Sequence, residues 1–202
     1  MFTRIALAMT LLLSGTAAAL AQTPAAPAAP APPAVPAPQA PPAAAPPAQA
    51  ADVDSPEALI RAVYSVISGA AGAERDWPRL ISLMAPGAIF SVASILKDGT
   101  IKIRTFSVGD YIVASSRAVA SAGFYERGVI GPIWRYAHMA TVSSPYESRH
   151  APGETPFQRG INTFQLAYDG SRWWVVSIAW EGESTAFPLP PDSDALLREI
   201  KN

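Results

Sequence analysis

The chain has 202 residues, no cysteine and a formal net charge of -1 at pH 7. The near-neutral charge provides no basic surface for nucleic acid or anionic lipid. The lack of cysteine excludes disulfides, thiol catalysis and thiolate metal sites. We therefore expect no nucleic-acid partner and a folded part that is stable through packing alone.

The first 21 residues have the three-part organisation of a secretory signal peptide. Arg4 supplies a positive charge, an apolar run follows from Ile5 to Leu13, and small residues lead to Ala21. The apolar run is too short for a lasting membrane anchor. The sequence predicts cleavage after Ala21, a periplasmic or secreted protein, and no membrane span after cleavage.

Alanine and proline make up nearly all of residues 22–51, which hold about half of the 21 prolines. Such a segment buries too little apolar surface to offset the entropy of ordering, and its prolines favour an extended conformation. We assign residues 22–54 to a disordered linker that acts as a spacer. The alternative is that its proline repeats bind an aromatic groove of a partner protein.

The composition changes at Asp54, where helix signals begin. A capping serine, a proline and a glutamate favour a helix start, and apolar residues then recur at helical spacing. The predicted elements are a helix from Ser55, a shorter helix from Asp76, strands around Phe90 and over Ile101–Phe106, and a third helix that starts at Ser107-Val108-Gly109-Asp110, a capping box.

Beyond Gly123 the sequence is typical of β-structure. Residues 157–183 predict a β-hairpin, because apolar residues alternate on both sides of Asp169-Gly170, a pair that suits a tight turn. Two earlier strands are predicted over Phe124–Ile130 and Ile133–Glu147. We expect an α+β domain over residues 55–183 with an antiparallel sheet, and a tail, residues 184–202, that crosses its surface.

Three stretches carry a resemblance to a known superfamily. They are Asp76-Trp77 to Phe90; Tyr125-Glu126-Arg127 with Ala137-His138 and Tyr146-Glu147-Ser148-Arg149; and Gly160-Ile161-Asn162 to Trp180. Together with the element order they resemble the nuclear transport factor 2-like superfamily, which includes ketosteroid isomerase, limonene epoxide hydrolase and SnoaL-like proteins. The resemblance covers about residues 55–183.

The resemblance implies a cone-shaped fold, in which a curved sheet wraps the N-terminal helices and encloses an apolar pocket. It does not imply a reaction, because the fold hosts catalysts and simple binders. Many members dimerise through the outer sheet face, where strand alternation places Trp173 as an exposed aromatic. The residues expected to line the pocket are Tyr64, Phe90, Trp134, Tyr136, His138, Phe164, Trp174, Ile178 and Trp180.

Two residues are candidate general bases, although no complete catalytic constellation is evident. His138 is expected in mid-strand beside Trp134 and Tyr136, where its alternative is a histidine hydrogen-bonded to a neighbouring strand. Glu126 is expected to point inward, where burial would raise its pKa; its alternative is an ion pair with a nearby arginine. Tyr64 is expected to donate a hydrogen bond to a ligand carbonyl or to be a core aromatic.

The first functional hypothesis is an exported binding or scaffold domain with an apolar pocket, no cofactor and no metal, taking a small apolar ligand and forming a homodimer. The second is an isomerase, cyclase or hydrolase that uses Glu126 or His138. The third is a protein-interaction domain of the cell envelope, in which the linker and the tail bind partners. The sequence favours a non-enzymatic role and leaves all three open.

Overall fold

The computed structural model describes residues 46–96 and 98–199. The predicted signal peptide and residues 22–45 of the predicted linker lie outside the described residues. The helices are α1 (Ala50–Val53), α2 (Pro56–Ile67), α3 (Trp77–Leu83), α4 (Val108–Val119) and α5 (Pro191–Glu199). The strands are β1 (Met84–Ile95), β2 (Ile101–Ser107), β3 (Tyr125–Gly128), β4 (Ile133–Tyr136), β5 (Met139–Arg149), β6 (Gln158–Tyr168) and β7 (Trp173–Gly182).

The seven strands form one sheet in the order β2-β1-β7-β6-β5-β3, with β4 also paired to β5. The predicted α+β class with a curved sheet is confirmed. Its strand pairs are antiparallel, except that β1 runs parallel to β7. The pattern within a strand defines its faces but not the direction of its neighbour, so this parallel pair could not be read from alternation.

Helix α2 supplies the centre of the core. Ser55 caps it by accepting a hydrogen bond from the Ala58 amide at 3.2 Å, and Pro56 occupies its first turn. Leu59 and Ile60 have no exposed surface, so the apolar face predicted from helical spacing is buried. The residues packed around it include Leu80, Leu83, Phe90, Val142, Phe164, Leu166 and Val175.

The predicted hairpin is present, but one bulge reverses part of the predicted pattern in β7. Gln165 pairs with Ser177, whereas Leu166 pairs with Val175, so Val176 is an extra residue in the ladder. Trp173 is consequently buried at 8% exposure, and Trp174 lies on the opposite side of the strand. The prediction that Trp173 is exposed and that Trp174 faces the pocket is therefore wrong.

The long strand predicted over Ile133–Glu147 is instead a hairpin of β4 and β5. Ala137, at a φ of 48°, and His138 form the turn, with Tyr136 paired to Met139. His138 is exposed in that turn, and Tyr136 is 73% exposed. The predicted mid-strand position of His138 is wrong because strict alternation does not reveal a two-residue turn that contains neither glycine nor proline.

Both ends of the described chain pack on the domain. Helix α1 lies within the segment that the sequence assigns to the linker, where Asp52 forms a two-point ion pair with Arg79 at 2.8 Å. Helix α5 contacts β5, and Arg159 of β6 pairs with Asp194. No helix within the described ranges is long and apolar enough to span a membrane.

Arg75 holds the turn that follows α2. Its guanidinium donates to the carbonyl oxygens of Ile67 at 3.1 Å, Gly69 at 2.7 Å, Ala70 at 3.3 Å and Ala73 at 2.7 Å. Arg75 is only 5% exposed; its bond to Ile67 is buried and the other three are partly buried. The arginine thus satisfies the end of α2 and fixes the segment that leads to α3.

Arg75→Met should lower the free energy of unfolding by about 2–4 kcal/mol, because it leaves one buried and three partly buried carbonyl groups without their donor. The measurement is urea unfolding of the purified protein. Arg61→Met is the matched control, since Arg61 is exposed on α2, and it should change stability by less than about 0.5 kcal/mol. Equal effects of the two substitutions would contradict the role given to Arg75.

Candidate functional site

A cavity of about 400 Å³ lies between α2, α4 and the inner face of the sheet. This volume is within the range of roughly 300–1,000 Å³ typical of small-molecule sites. Its lining is mainly apolar and aromatic, whereas the lining residues Ala118, His150, Phe157 and Gln158 are themselves exposed. The cavity therefore opens between the end of α4 and the connection from β5 to β6.

Glu126 of β3 is the one carboxylate among the described residues of the lining. Its backbone is fixed by Ser68, whose hydroxyl accepts from the Glu126 amide at 3.0 Å and donates to the Glu126 carbonyl at 3.1 Å. The carboxylate accepts hydrogen bonds from the Ser148 hydroxyl at 2.7 Å and from Asn162 Nδ2 at 3.1 Å. Three elements thus hold this acid in one orientation.

Burial raises the pKa of Glu126 above its ordinary value, and the hydrogen bonds from Ser148 and Asn162 offset part of that rise. The side chain lies deep in the protein, yet the residue keeps some accessible surface because it faces the cavity. A carboxyl group in such surroundings can exchange a proton closer to neutral pH than an exposed glutamate can.

The hydrogen-bond directions around Tyr64 are determined by the surrounding donors. Ser144 Oγ donates its proton to the Val129 carbonyl at 2.8 Å, so it must accept from the Tyr64 hydroxyl at 2.7 Å. Asn162 Nδ2 donates to the same hydroxyl oxygen at 3.1 Å. The proton of Tyr64 is therefore directed to Ser144, and the predicted donation from Tyr64 to a ligand carbonyl is not present.

Two glycines create the space for the tyrosines of the site. A Cβ on Gly128 would lie 2.2 Å from the Tyr64 hydroxyl oxygen, and one on Gly160 would lie 2.7 Å from that of Tyr146. Both glycines lie within strands, β3 and β6, where glycine otherwise only weakens the sheet. The close approach of Tyr64 explains Gly128, whereas Gly160 is required both by Tyr146 and by the Glu181 carbonyl oxygen, which would lie 2.3 Å from its Cβ.

Tyr146 and Asn162 carry further polar atoms at the cavity. Within residues 46–96 and 98–199, neither the Tyr146 hydroxyl nor Asn162 Oδ1 has a hydrogen-bond partner, and the two residues are buried, at 2% and 6% exposure. Both residues line the cavity. Together with the Glu126 carboxylate they provide two acceptors and one hydroxyl that can donate or accept.

Aromatic rings form another part of the wall. The Phe90 ring centroid is 4.8 Å from that of Tyr111 and 6.4 Å from that of Trp180, and Trp77 meets Tyr111 edge-on at 6.4 Å. Burial, followed by the charge of Glu126, raises the pKa of Tyr111 to about 12. The aromatic wall therefore lies within electrostatic range of the carboxylate.

His150 lies at the cavity mouth, whereas Arg127 and Arg149 lie outside the lining. His150 Nδ1 lies 3.0 Å from the Gly123 carbonyl, to which it donates, and its ring stacks on Phe157 with centroids 4.2 Å apart at the cavity mouth. Arg149 pairs with Glu147 at 2.6 Å, and Arg127 also pairs with Glu147. Among the described residues, Glu147, and not Glu126, therefore forms the arginine ion pairs that were predicted from the sequence as the alternative for Glu126.

The structure brings together only part of the predicted pocket. Tyr64, Phe90, Phe164, Ile178 and Trp180 line the cavity, and so does Glu126. Trp134, Tyr136, His138 and Trp174 are not among the lining residues, because the β4–β5 turn and the β7 bulge change their faces. His138 is therefore withdrawn as a candidate base.

The polar residues Ser144, Tyr146, Ser148 and Asn162 were missed as site residues, although the sequence holds a signal for them. They interrupt the inward-facing apolar positions of two strands, since Val142 precedes the first three on one face of β5 and Phe164 follows Asn162 on one face of β6. A polar residue on a core face needs a partner, which points to a polar site.

In the described part of the chain, no group of three or more histidine, aspartate or glutamate side chains is placed to hold a metal ion.

No protein-family model and no curated protein sequence matches this chain. Solved structures similar to it include nuclear transport factor 2-like proteins of unknown function from three bacteria. The protein from Pseudomonas putida KT2440 is 14% identical, covers 67% of this chain and 93% of its own, and has a TM-score of 0.48. The protein from Silicibacter pomeroyi DSS-3 is 16% identical, covers 63% of this chain and 92% of its own, and has a TM-score of 0.44. The protein from Methylobacillus flagellatus KT is 12% identical, covers 62% of this chain and 88% of its own, and has a TM-score of 0.43.

At these identities a likeness concerns the fold alone. The architecture itself has α2 packed in a curved sheet of the order β2-β1-β7-β6-β5-β3, with a cavity between them. This arrangement is the one that the resemblance to the nuclear transport factor 2-like superfamily implied from the sequence.

Proposed function

We propose that this protein binds a small, mainly apolar molecule in the cavity, with Glu126 as its polar anchor. The observation that carries the proposal is an open cavity of about 400 Å³ whose apolar wall contains one carboxylate held by Ser148 and Asn162. A cavity that served packing alone would be filled by side chains, because voids in a core cost stability.

The opening supports exchange of a ligand with solvent. Exposed residues of α4 and of the β5–β6 connection surround it, so a molecule can enter without unfolding of the sheet. Export of the protein, the spacer role of the linker and a homodimer remain predictions. For the homodimer, Trp134 at 64% exposure and Tyr136 at 73% are exposed aromatics of the edge hairpin.

Ala118→Trp should abolish binding of the neutral probe N-phenyl-1-naphthylamine, because the indole would occupy the cavity mouth. The measurement is the saturable rise in probe fluorescence on titration with the purified protein. Ala114→Trp is the matched control, since Ala114 is also exposed on α4 but does not line the cavity. Absence of saturable binding in the unsubstituted protein, or equal binding by both variants, would refute the proposed site.

Acid–base catalysis in the same cavity is the second candidate. The favouring observation is that Glu126, with its raised pKa, shares the cavity with the Tyr146 hydroxyl, which has no hydrogen-bond partner in the described part of the chain. An isomerase, cyclase or hydrolase could use Glu126 to move a proton and Tyr146 to donate to a developing oxyanion. If turnover of such a substrate is found, Glu126→Gln should reduce kcat by about 10²–10⁴-fold; unchanged turnover would remove this candidate.

The raised pKa of Glu126 predicts a specific dependence of stability on pH. The unfolded state loses the Glu126 proton at a lower pH than the folded state, so this group stabilises the fold below the ordinary glutamate pKa. That contribution is lost as pH rises toward the raised value. Glu126→Gln should remove this loss of stability at rising pH, and the variant should be more stable than the unsubstituted protein at neutral pH.

Urea unfolding of both proteins between pH 4 and pH 8 measures this effect as a difference, which cancels the titration of other groups. Glu181→Gln is the control, because Glu181 is exposed on β7 and the substitution changes the net charge equally. A constant difference between Glu126→Gln and the unsubstituted protein across this range would show that Glu126 is not in the proposed environment.

A further inference from the structure

The electrostatic character of the cavity narrows the class of ligand. Its lining contains the carboxylate of Glu126 but no lysine or arginine among the described residues. A buried acid is costly to ionise without a positive partner, and this acid has an open space beside it. The missing positive charge can be supplied by a ligand.

The donors around Glu126 suit its ionised form. Ser148 and Asn162 direct their protons at separate oxygens of the carboxylate, which is the arrangement that an acceptor-only group requires. Two further polar atoms of the lining can accept hydrogen bonds, since Asn162 Oδ1 is a carbonyl oxygen and the Tyr146 hydroxyl oxygen has free lone pairs. A donor group in the cavity would therefore meet acceptors on Glu126, Asn162 and Tyr146.

The aromatic wall provides a second interaction that favours a positively charged ligand. The rings of Trp77, Phe90, Tyr111 and Trp180 all line the cavity. A cation is attracted to the face of such rings, and the attraction increases when water is excluded. An anion meets repulsion from both the rings and Glu126, and a neutral molecule gains from neither charge effect.

We propose that the ligand is a small cation with an apolar body, most simply a protonated amine whose ammonium group binds Glu126, Asn162 and Tyr146 while its hydrocarbon part contacts the aromatic wall. This inference rests on the proposed binding function and specifies the ligand class for the same cavity. The ammonium group would supply N–H donors to these acceptors, in addition to the hydrogen bonds that Glu126 accepts from Ser148 and Asn162.

Three probes of one shape test the charge requirement. 2-Naphthylmethylamine is cationic at pH 7, 2-naphthalenemethanol is neutral, and 2-naphthoate is anionic. Calorimetric titration of the purified protein at pH 7 should give at least a ~10-fold lower Kd for the amine than for the alcohol, with the anion weakest. This ratio corresponds to about 1.4 kcal/mol, within reach of one charge-assisted hydrogen bond.

Three variants locate the preference. Glu126→Gln should bring the Kd values of the amine and the alcohol within about threefold, whereas Glu181→Gln, which removes the same charge from an exposed position on β7, should keep the ratio. Trp180→Leu should weaken binding of the amine more than binding of the alcohol. This comparison remains informative even if Glu126→Gln does not fold.

The outcomes separate the two proposals. If the alcohol or the anion binds as tightly as the amine, the charge inference is overturned while ligand binding in the cavity stands. If none of the three probes binds and N-phenyl-1-naphthylamine also fails, both proposals fall. If the amine is preferred equally by the unsubstituted protein and by Glu126→Gln, the preference arises elsewhere and the inference is overturned.

Discussion

The hydrogen bond from Asn162 to Glu126 is the interaction on which the polar part of the cavity depends. It joins β6 to β3 across β5, and Asn162 uses its second N–H for Tyr64, so one amide orients an acid and a phenol together. Because the proton of Ser144 goes to the Val129 carbonyl, every direction in this chain of hydrogen bonds is determined. A ligand of the proposed site would therefore meet donors and acceptors that are already oriented, which would lower the entropy cost of binding.

Close packing supports this orientation. Tyr64 and Tyr146 approach the backbone at Gly128 and Gly160 within distances that a Cβ would prevent. The glycines belong to the same strands that carry Glu126 and Asn162, so each strand supplies both a polar group and the space for a tyrosine. Rigid strands hold such groups more accurately than loops do.

Much of the fold could be predicted from the sequence, because helix caps and alternating strands are local signals. Ser55 with Pro56 and the capping box of Ser107 with Asp110 both begin helices in the structure. The site was harder to predict. The bulge at Val176 and the turn at Ala137 each shift the side-chain pattern by one register, which moves Trp174 and His138 away from the cavity. Pairing across strands, which brings Ser148 and Asn162 to Glu126, is not a local signal at all.

The inward position of Glu126 has no structural explanation within the described residues. A buried carboxyl group lowers stability when it ionises, and two hydrogen bonds leave its pKa still raised, so they only partly offset the cost. An aliphatic side chain of similar size would fill the same wall without that cost. The proposed cationic ligand would account for the acid, since it would supply the missing countercharge, and for the aromatic rings and the polar atoms beside it. A protein that encloses an acid, an aromatic wall and an empty volume together is thus better explained by what it binds than by how it folds.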